Sequence, residues 1–96
     1  DMAVYSKKTF GMFSGKETAV TLRCKNRMAN IIVDRFGQDA VLSVVDGEHF
    51  EITVNVAVSP VFLTWLMNFG SDVRILSPQS VIDSFKSLAL EALKQY

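Results

Sequence analysis

The stretch "FEITVNVAV", residues 50–58, decides the fold of this chain of 96 residues. Apolar and polar side chains alternate along it, which is the pattern of a β-strand with one buried and one solvent-facing side. The apolar positions are Phe50, Ile52, Val54, Val56 and Val58. We expect this side to pack against helices, while Glu51, Thr53 and Asn55 line the opposite face of the sheet.

Two more segments predict strands that pair with this one. The segment "AVLSVV", residues 40–45, precedes Asp46-Gly47, a pair typical of a turn with positive φ, and Glu48 and His49 indicate a longer hairpin loop. Upstream, residues 18–25 alternate in the same way, with one face made of Val20, Leu22 and Cys24. An antiparallel sheet follows from these patterns.

Helices are predicted between the strands. Asn26 is placed to cap a helix whose apolar stripe ends at Gly37. Ser59 is placed to cap the next helix, with Pro60 at its first position and Gly70 at its end. Both helices connect one strand to another.

The remaining residues complete the order β-α-β-β-α-β-α. A short strand over residues 73–76 is followed by a second serine-proline start at Ser77-Pro78 and by a final helix. We predict an α+β fold of the ferredoxin-like split β-α-β-β-α-β type, with an additional C-terminal helix. Residues 17–96 form this domain, and residues 1–16 are predicted to be a linker from a preceding domain of a longer protein.

Composition excludes several classes of function. Ten basic residues balance ten acidic ones, so the chain lacks the broad positive field that nucleic-acid binding usually requires, and we expect no direct contact with DNA. A single cysteine, Cys24, cannot form an internal disulfide and is expected in the core. No apolar run is long enough to span a bilayer and no signal peptide is visible, so a cytoplasmic location is predicted.

The polar face of the predicted sheet carries the candidate ligand-binding residues Arg23, Asn55 and Arg74. Guanidinium groups bind carboxylates and phosphates bidentately, so an anion is the expected ligand. The alternative is a face that is merely solvated. Acylphosphatases share the overall plan and use an arginine and an asparagine, but the chain has no counterpart of their glycine-rich phosphate loop. We therefore predict no enzyme activity.

The helix over residues 60–67 is apolar on almost every side. Trp65 is expected mainly in the core, whereas Leu63 and Met67, with Leu90 from the final helix, are the predicted interface residues. His49 lies near two mobile carboxylates but lacks the ligands of a real metal site, so neither a metal nor a cofactor is predicted.

Three segments together resemble a known family. They are "VTLRCKNRMANIIVDRFG" (residues 20–37), "DGEHFEITVNVAVS" (residues 46–59) and "FLTWLMNFGSDVRILSPQSV" (residues 62–81). In this order they resemble the C-terminal extension, or WCX domain, that follows the WYL domain in bacterial transcriptional regulators with an N-terminal helix-turn-helix. "FGMFSG", residues 10–15, is similar to the linker after the WYL domain, while the Trp-Tyr-Leu signature itself is absent.

The resemblance implies a non-catalytic regulatory and dimerisation domain that couples effector state to a DNA-binding domain elsewhere in the protein. Its expected partners are a second copy of the chain, the preceding WYL and helix-turn-helix domains, and a small-molecule or nucleotide effector. The alternative is a module of the ACT-like type, in which dimers bind an anionic metabolite between subunits.

Overall fold

The computed structural model describes residues 17–37 and 41–96, so the predicted linker over residues 1–16 lies outside the described residues. The elements appear in the predicted order of strands and helices. They are β1 (Glu17–Lys25), α1 (Ala29–Phe36), β2 (Val41–Val44), β3 (His49–Ala57), α2 (Pro60–Met67), β4 (Val73–Ser77) and α3 (Gln79–Leu93), with short 3-10 turns at Asn26–Met28 and Gly70–Asp72. None of these helices is long and apolar enough to cross a membrane.

The four strands form one antiparallel sheet in the order β2-β3-β1-β4. The two central strands pair over their whole length, from Glu17 opposite Ala57 to Lys25 opposite His49. The mixed α and β class with an antiparallel sheet is therefore confirmed. This register also determines which side chains share a face, because residues opposite each other in a ladder point to the same side.

The core lies between the sheet and the helices. Its strand side is the predicted apolar set from β1 and β3, and every described helix adds buried side chains to the same cluster. The buried members are Val20, Leu22, Cys24, Phe50, Ile52, Val54, Val56, Met28, Ile32, Phe36, Phe62, Leu63, Leu66 and Val81. We call the opposite side of the sheet the open face; it carries the half-buried or exposed side chains of Thr21, Arg23, Glu51, Thr53, Asn55 and Arg74.

Two of the predicted helix boundaries are confirmed by their local chemistry. Helix α1 ends at Gly37, whose φ of 73° lies in the left-handed region that favours glycine. Ser59 precedes α2 and its Oγ accepts a hydrogen bond from the N–H of Phe62 at 3.3 Å, while Pro60 occupies the first helical position. The start of α2 therefore follows from local sequence alone.

Two predicted caps are wrong. Asn26 belongs to a 3-10 turn and its amide donates to the carbonyl of Gly47 at 3.1 Å, so it joins this turn to the hairpin instead of capping α1. Ser77 ends β4, and Pro78 takes the cap position of α3 without any side-chain hydrogen bond. Instead of a side-chain cap, the backbone carbonyl of Pro78 accepts hydrogen bonds from the N–H groups of Val81 and Ile82.

Two glycines also differ from expectation. Helix α2 ends at Met67, and Gly70, with φ of 55°, opens the 3-10 turn that follows. Gly47 does not adopt positive φ, because the hairpin loop is closed by a side chain. Asp46 Oδ1 accepts hydrogen bonds from the N–H groups of Glu48 and His49 at 2.7 and 2.8 Å.

An ion pair links the end of β1 to the start of β4. Arg27 donates from Nε and Nη2 to the two carboxylate oxygens of Asp72 at 2.9 and 2.7 Å, a bidentate arrangement. Lys25 lies 3.7 Å from the same carboxylate. The hydrogen bond from Arg27 is the main reason that the pKa of Asp72 is lowered from its usual value.

Replacing Leu22, which is fully buried in β1, should destabilise the domain through a cavity that the sheet and helices cannot fill. We expect Leu22→Ala to lower the free energy of unfolding in urea by about 3 kcal/mol. The matched control is Leu90→Ala in α3, where the side chain is 56 % exposed, and its effect should stay within about 0.5 kcal/mol. Equal losses in the two variants would contradict the described core.

The Arg27–Asp72 pair should make stability depend on pH. Because the pKa of Asp72 is lower in the folded than in the unfolded chain, its contribution is complete above the unfolded value, about pH 4, and is lost as pH falls through the folded pKa. A double-mutant cycle with Asp72→Asn and Arg27→Gln measures the coupling from urea unfolding. The coupling should be constant from pH 7 to about pH 5 and shrink towards pH 3; unchanged coupling at pH 3 would contradict this assignment.

Candidate functional site

The strand register brings one residue from each strand into a single row across the open face. Ser43 on β2 lies opposite Glu51 on β3, Glu51 lies opposite Arg23 on β1, and Arg23 lies opposite Arg74 on β4. We call these four residues the arginine row. Arg23 and Arg74, two of the three predicted ligand-binding residues, are thus neighbours on adjacent strands that lie about 5 Å apart.

Arg23 is the centre of this row and its guanidinium is only partly satisfied. Its Nη2 donates to Glu51 Oε2 at 3.2 Å, and both side chains are partly exposed. Its Nε is buried and has no hydrogen-bond partner among the described residues. A buried donor without an acceptor costs free energy.

Arg74 adds a second guanidinium to the row. It is exposed, and its side chain makes no hydrogen bond or ion pair within the ranges 17–37 and 41–96. Two guanidinium groups with the single carboxylate of Glu51 leave one net positive charge at this place on the sheet. Like charges opposite each other in a ladder repel, so a bound anion would relieve the repulsion between Arg23 and Arg74.

Asn55, the third predicted ligand-binding residue, does not join the arginine row. It lies opposite Ala19, four residues along β3 from Glu51, which corresponds to about 13 Å. Between them, the hydroxyl groups of Thr21 and Thr53 hydrogen-bond to each other at 2.9 Å. A small anion held by both arginines would therefore not reach Asn55.

Sequence reasoning placed Glu51 on the open face but missed its ion pair with Arg23, and it missed Ser43 altogether. Both assignments depend on which residue lies opposite which. A period-two pattern predicts the face of a residue, but the pairing register has to come from the assembled sheet. The short alternation of apolar and polar residues around Ser43 was the only sequence pattern that could have placed Ser43 on the open face.

The three predicted interface residues have different surroundings. Leu63 is buried at 5 % exposure, Met67 is half-buried, and Leu90 is 56 % exposed. Leu63 belongs to the core of its own chain. It can contact a partner only through the part of its side chain that lines a groove between α2 and α3. Their role at an interface stays a prediction.

That groove has a volume of about 460 Å³, and its floor is formed by apolar side chains that include Leu63 and Leu88. The carboxylates of Asp83 and Glu91 lie along its α3 side. Its acidic character makes it a poor site for the anion expected on the open face. We therefore place the candidate ligand site at the arginine row.

Trp65 packs within its own chain. Its ring meets Phe36 at 5.6 Å and Phe69 at 5.0 Å between centroids, edge to face in both cases. The guanidinium of Arg35 lies 5.4 Å from the centre of the Trp65 ring, a cation–π distance. Helix α2 is apolar on several sides because it contacts the sheet, α1 and α3.

The remaining candidate groups serve the fold. His49 Nδ1 lies 3.1 Å from Asp46 Oδ1 in the hairpin loop, and the described residues contain no group of three side chains that could hold a metal ion. Cys24 is fully buried, and this burial raises the pKa of its thiol to about 12. A thiol with such a pKa is a poor nucleophile at neutral pH.

Comparison with known proteins identifies one family. The model of the WCX domain matches residues 16–93, which includes every described strand and helix. No curated protein matches the chain.

The thiol of Cys24 should be unreactive while the protein is folded. We expect almost no reaction with Ellman's reagent at pH 8 in native buffer, and complete reaction of one thiol per chain in unfolding concentrations of urea, because only the unfolded chain exposes Cys24. Stopped-flow absorbance measures both rates. Fast reaction of the native protein would contradict the buried position on β1.

Proposed function

The chain belongs to the WCX domain family, and on this premise we propose that it is a non-catalytic regulatory domain of a bacterial transcriptional regulator. It couples the state of an anionic effector to a DNA-binding domain elsewhere in the full-length protein, and it associates with a second copy of itself. WYL and helix-turn-helix domains precede it in that protein, which acts in the cytoplasm.

We further propose that the domain has the ferredoxin-like split plan with one additional C-terminal helix. The antiparallel strand order β2-β3-β1-β4 and the helices between β1 and β2 and between β3 and β4 support this assignment. The plan leaves one sheet face for contacts other than the core. On that face lies the arginine row.

The observation that carries the proposal is the pairing of Arg23 with Arg74 next to a single carboxylate. The partly exposed guanidinium of Arg23 and the exposed guanidinium of Arg74 offer donors to the same anion. Both side chains start from a rigid ladder, so little order has to be created when an anion binds. Carboxylate and phosphate groups both suit this arrangement.

Coupling requires that a group makes different contacts in two states of the protein. Arg23 supplies such a group, since its Nη2 contacts Glu51 at 3.2 Å. A bound anion would compete with Glu51 for Arg23 and free the carboxylate on β3. Release of the Glu51 carboxylate would then alter the contacts of the neighbouring strand β2 and of any partner bound to β2.

The alternative function is an ACT-like module, in which a dimer holds an anionic metabolite between its subunits. The same arginine row favours it, because the row lies on the surface and could be completed by a second copy. The two functions differ in stoichiometry and in dependence on association. An ACT-like module would bind its ligand only as a dimer, whereas the regulatory domain would bind one anion per chain at any concentration.

Anion binding should raise the melting temperature, because a ligand specific to the folded state stabilises it. With pyrophosphate as the probe, at constant ionic strength and about ten times its dissociation constant, we expect a gain of about 1.4 kcal/mol, or several degrees. Arg74→Ala should abolish the shift. Lys86→Ala, which removes the same charge from the exposed side of α3, should retain it.

An equal shift in all three proteins would identify a general salt effect and would contradict the site. Absence of any shift with pyrophosphate and with citrate, as a tricarboxylate probe, would remove anion sensing from the proposed function. Repeating the melts over a hundredfold range of protein concentration separates the two functions. A pyrophosphate-induced shift that persists at the lowest concentration supports the regulatory domain, whereas a shift that disappears on dilution supports the ACT-like alternative.

A further inference from the structure

Strand β2 is an edge strand of the sheet formed by the described residues. Within the described part of the chain it pairs with β3 alone. The N–H of Val45 donates to the carbonyl of His49 on β3 at 3.1 Å. Because successive residues of a strand point their backbone groups to opposite sides, Ser43 also faces β3, whereas Leu42 and Val44 direct theirs to the free edge.

The same strand exposes apolar side chains. Val44 is 80 % exposed, Leu42 is 43 % exposed and Val45 is 41 % exposed. Leu42 and Val44 lie opposite Ile52 and Phe50, so they point to the helix side of the sheet, beyond the area that the helices cover. The segment "VLSVV", residues 41–45, contains no charge and no proline, the devices that usually prevent an edge strand from pairing.

We propose that β2 pairs with β2 of a second copy of this chain, antiparallel, around a two-fold axis that passes beside Ser43. In this register Leu42 lies opposite Val44 of the second copy and Ser43 lies opposite Ser43. The outward backbone groups of Leu42 and Val44 then form four hydrogen bonds between the two copies. The two four-stranded sheets become one sheet of eight strands.

The sequence of β2 favours a second copy as its occupant. Residues 41–45 read apolar, apolar, serine, apolar, apolar in either direction, so the two-fold register places an apolar residue opposite an apolar residue and serine opposite serine. No charge is brought against its own copy. The other edge strand, β4, carries the exposed Arg74, and its self-pairing would bring two guanidinium groups close together.

Closure also favours this pairing. Pairing of β2 with β4 of another copy would leave a free edge at each end and would continue into an open filament. Pairing of β2 with β2 uses the same edge of both copies and ends with the dimer. The area covered by one short strand is below the roughly 800 Å² per partner of stable interfaces, so we expect reversible association with a dissociation constant in the micromolar range.

This dimer would connect the arginine rows of the two copies. Ser43 is the outermost member of each row, so a two-fold axis beside Ser43 aligns both rows across the eight strands. The two Arg23 positions would then be about 24 Å apart. An anion that releases Glu51 from Arg23 acts on the residue opposite Ser43, next to the pairing edge. This inference rests on the self-association in the proposed function and names its surface.

A cysteine at position 43 tests the register. Residues opposite each other at a non-hydrogen-bonded position have Cα atoms about 4.5 Å apart, within the range of a disulfide. We expect Ser43→Cys to form a covalent dimer with oxidised glutathione, visible by non-reducing electrophoresis. Ser80→Cys, at an exposed site on α3, should not, and the native Cys24 is buried in both variants.

Sedimentation equilibrium of non-oxidised variants completes the test. Val44→Lys should weaken dimerisation about tenfold or more, because it buries charge at the pairing edge. Leu90→Lys, which changes an exposed leucine of α3 in the same way, should leave it unchanged. This inference would be overturned if Leu90→Lys disrupted the dimer and Ser43→Cys formed no cross-link. That result would support the interface at Leu90. A chain that stays monomeric up to millimolar concentration would overturn the self-association as well.

Discussion

The pairing of β1 with β3 over nine residues is the constraint on which the rest of the structure depends. Because the side-chain period of a strand is two, a slip of one residue would place the apolar side chains of β1 and of β3 on opposite faces of the sheet. With the helices still packed on the apolar side of β3, such a slip would expose Leu22, which is now buried, and would turn Arg23 into the core. The hydrophobic gain of the core and the position of the arginine row therefore follow from the same register.

The helices pack on one side of this sheet and explain the unusual composition of α2. Phe62, Leu63 and Leu66 face the core, while Trp65 contacts aromatic rings on α1 and in the turn after α2. A short helix with neighbours on several sides has little surface left for polar residues. Its apolar character is thus largely explained by contacts within the chain.

Two surfaces that the core leaves exposed carry the proposed regulation. On the open face, Arg23 contacts the carboxylate of Glu51 and lies opposite Arg74, so the proposed anion would change the contacts of Arg23. At the edge, β2 has exposed apolar side chains and backbone groups that no residue of the ranges 17–37 and 41–96 pairs with. The row through Ser43 and Glu51 joins the two surfaces, so the proposed effector binding would have a direct physical route to the proposed self-association.

The sequence by itself determined the element order, the buried faces of β1 and β3, the start of α2 at Ser59-Pro60 and the end of α1 at Gly37. These features depend on periodicity and on residues next to each other in the chain. Only the tertiary structure decided that Asn26 bonds to the hairpin, that Asp46 closes the loop, and that Arg23 lies beside Arg74 while Asn55 lies apart. Each of these contacts joins residues through folding of the backbone or pairing of strands, and a linear pattern carries no information on the register that brings them together.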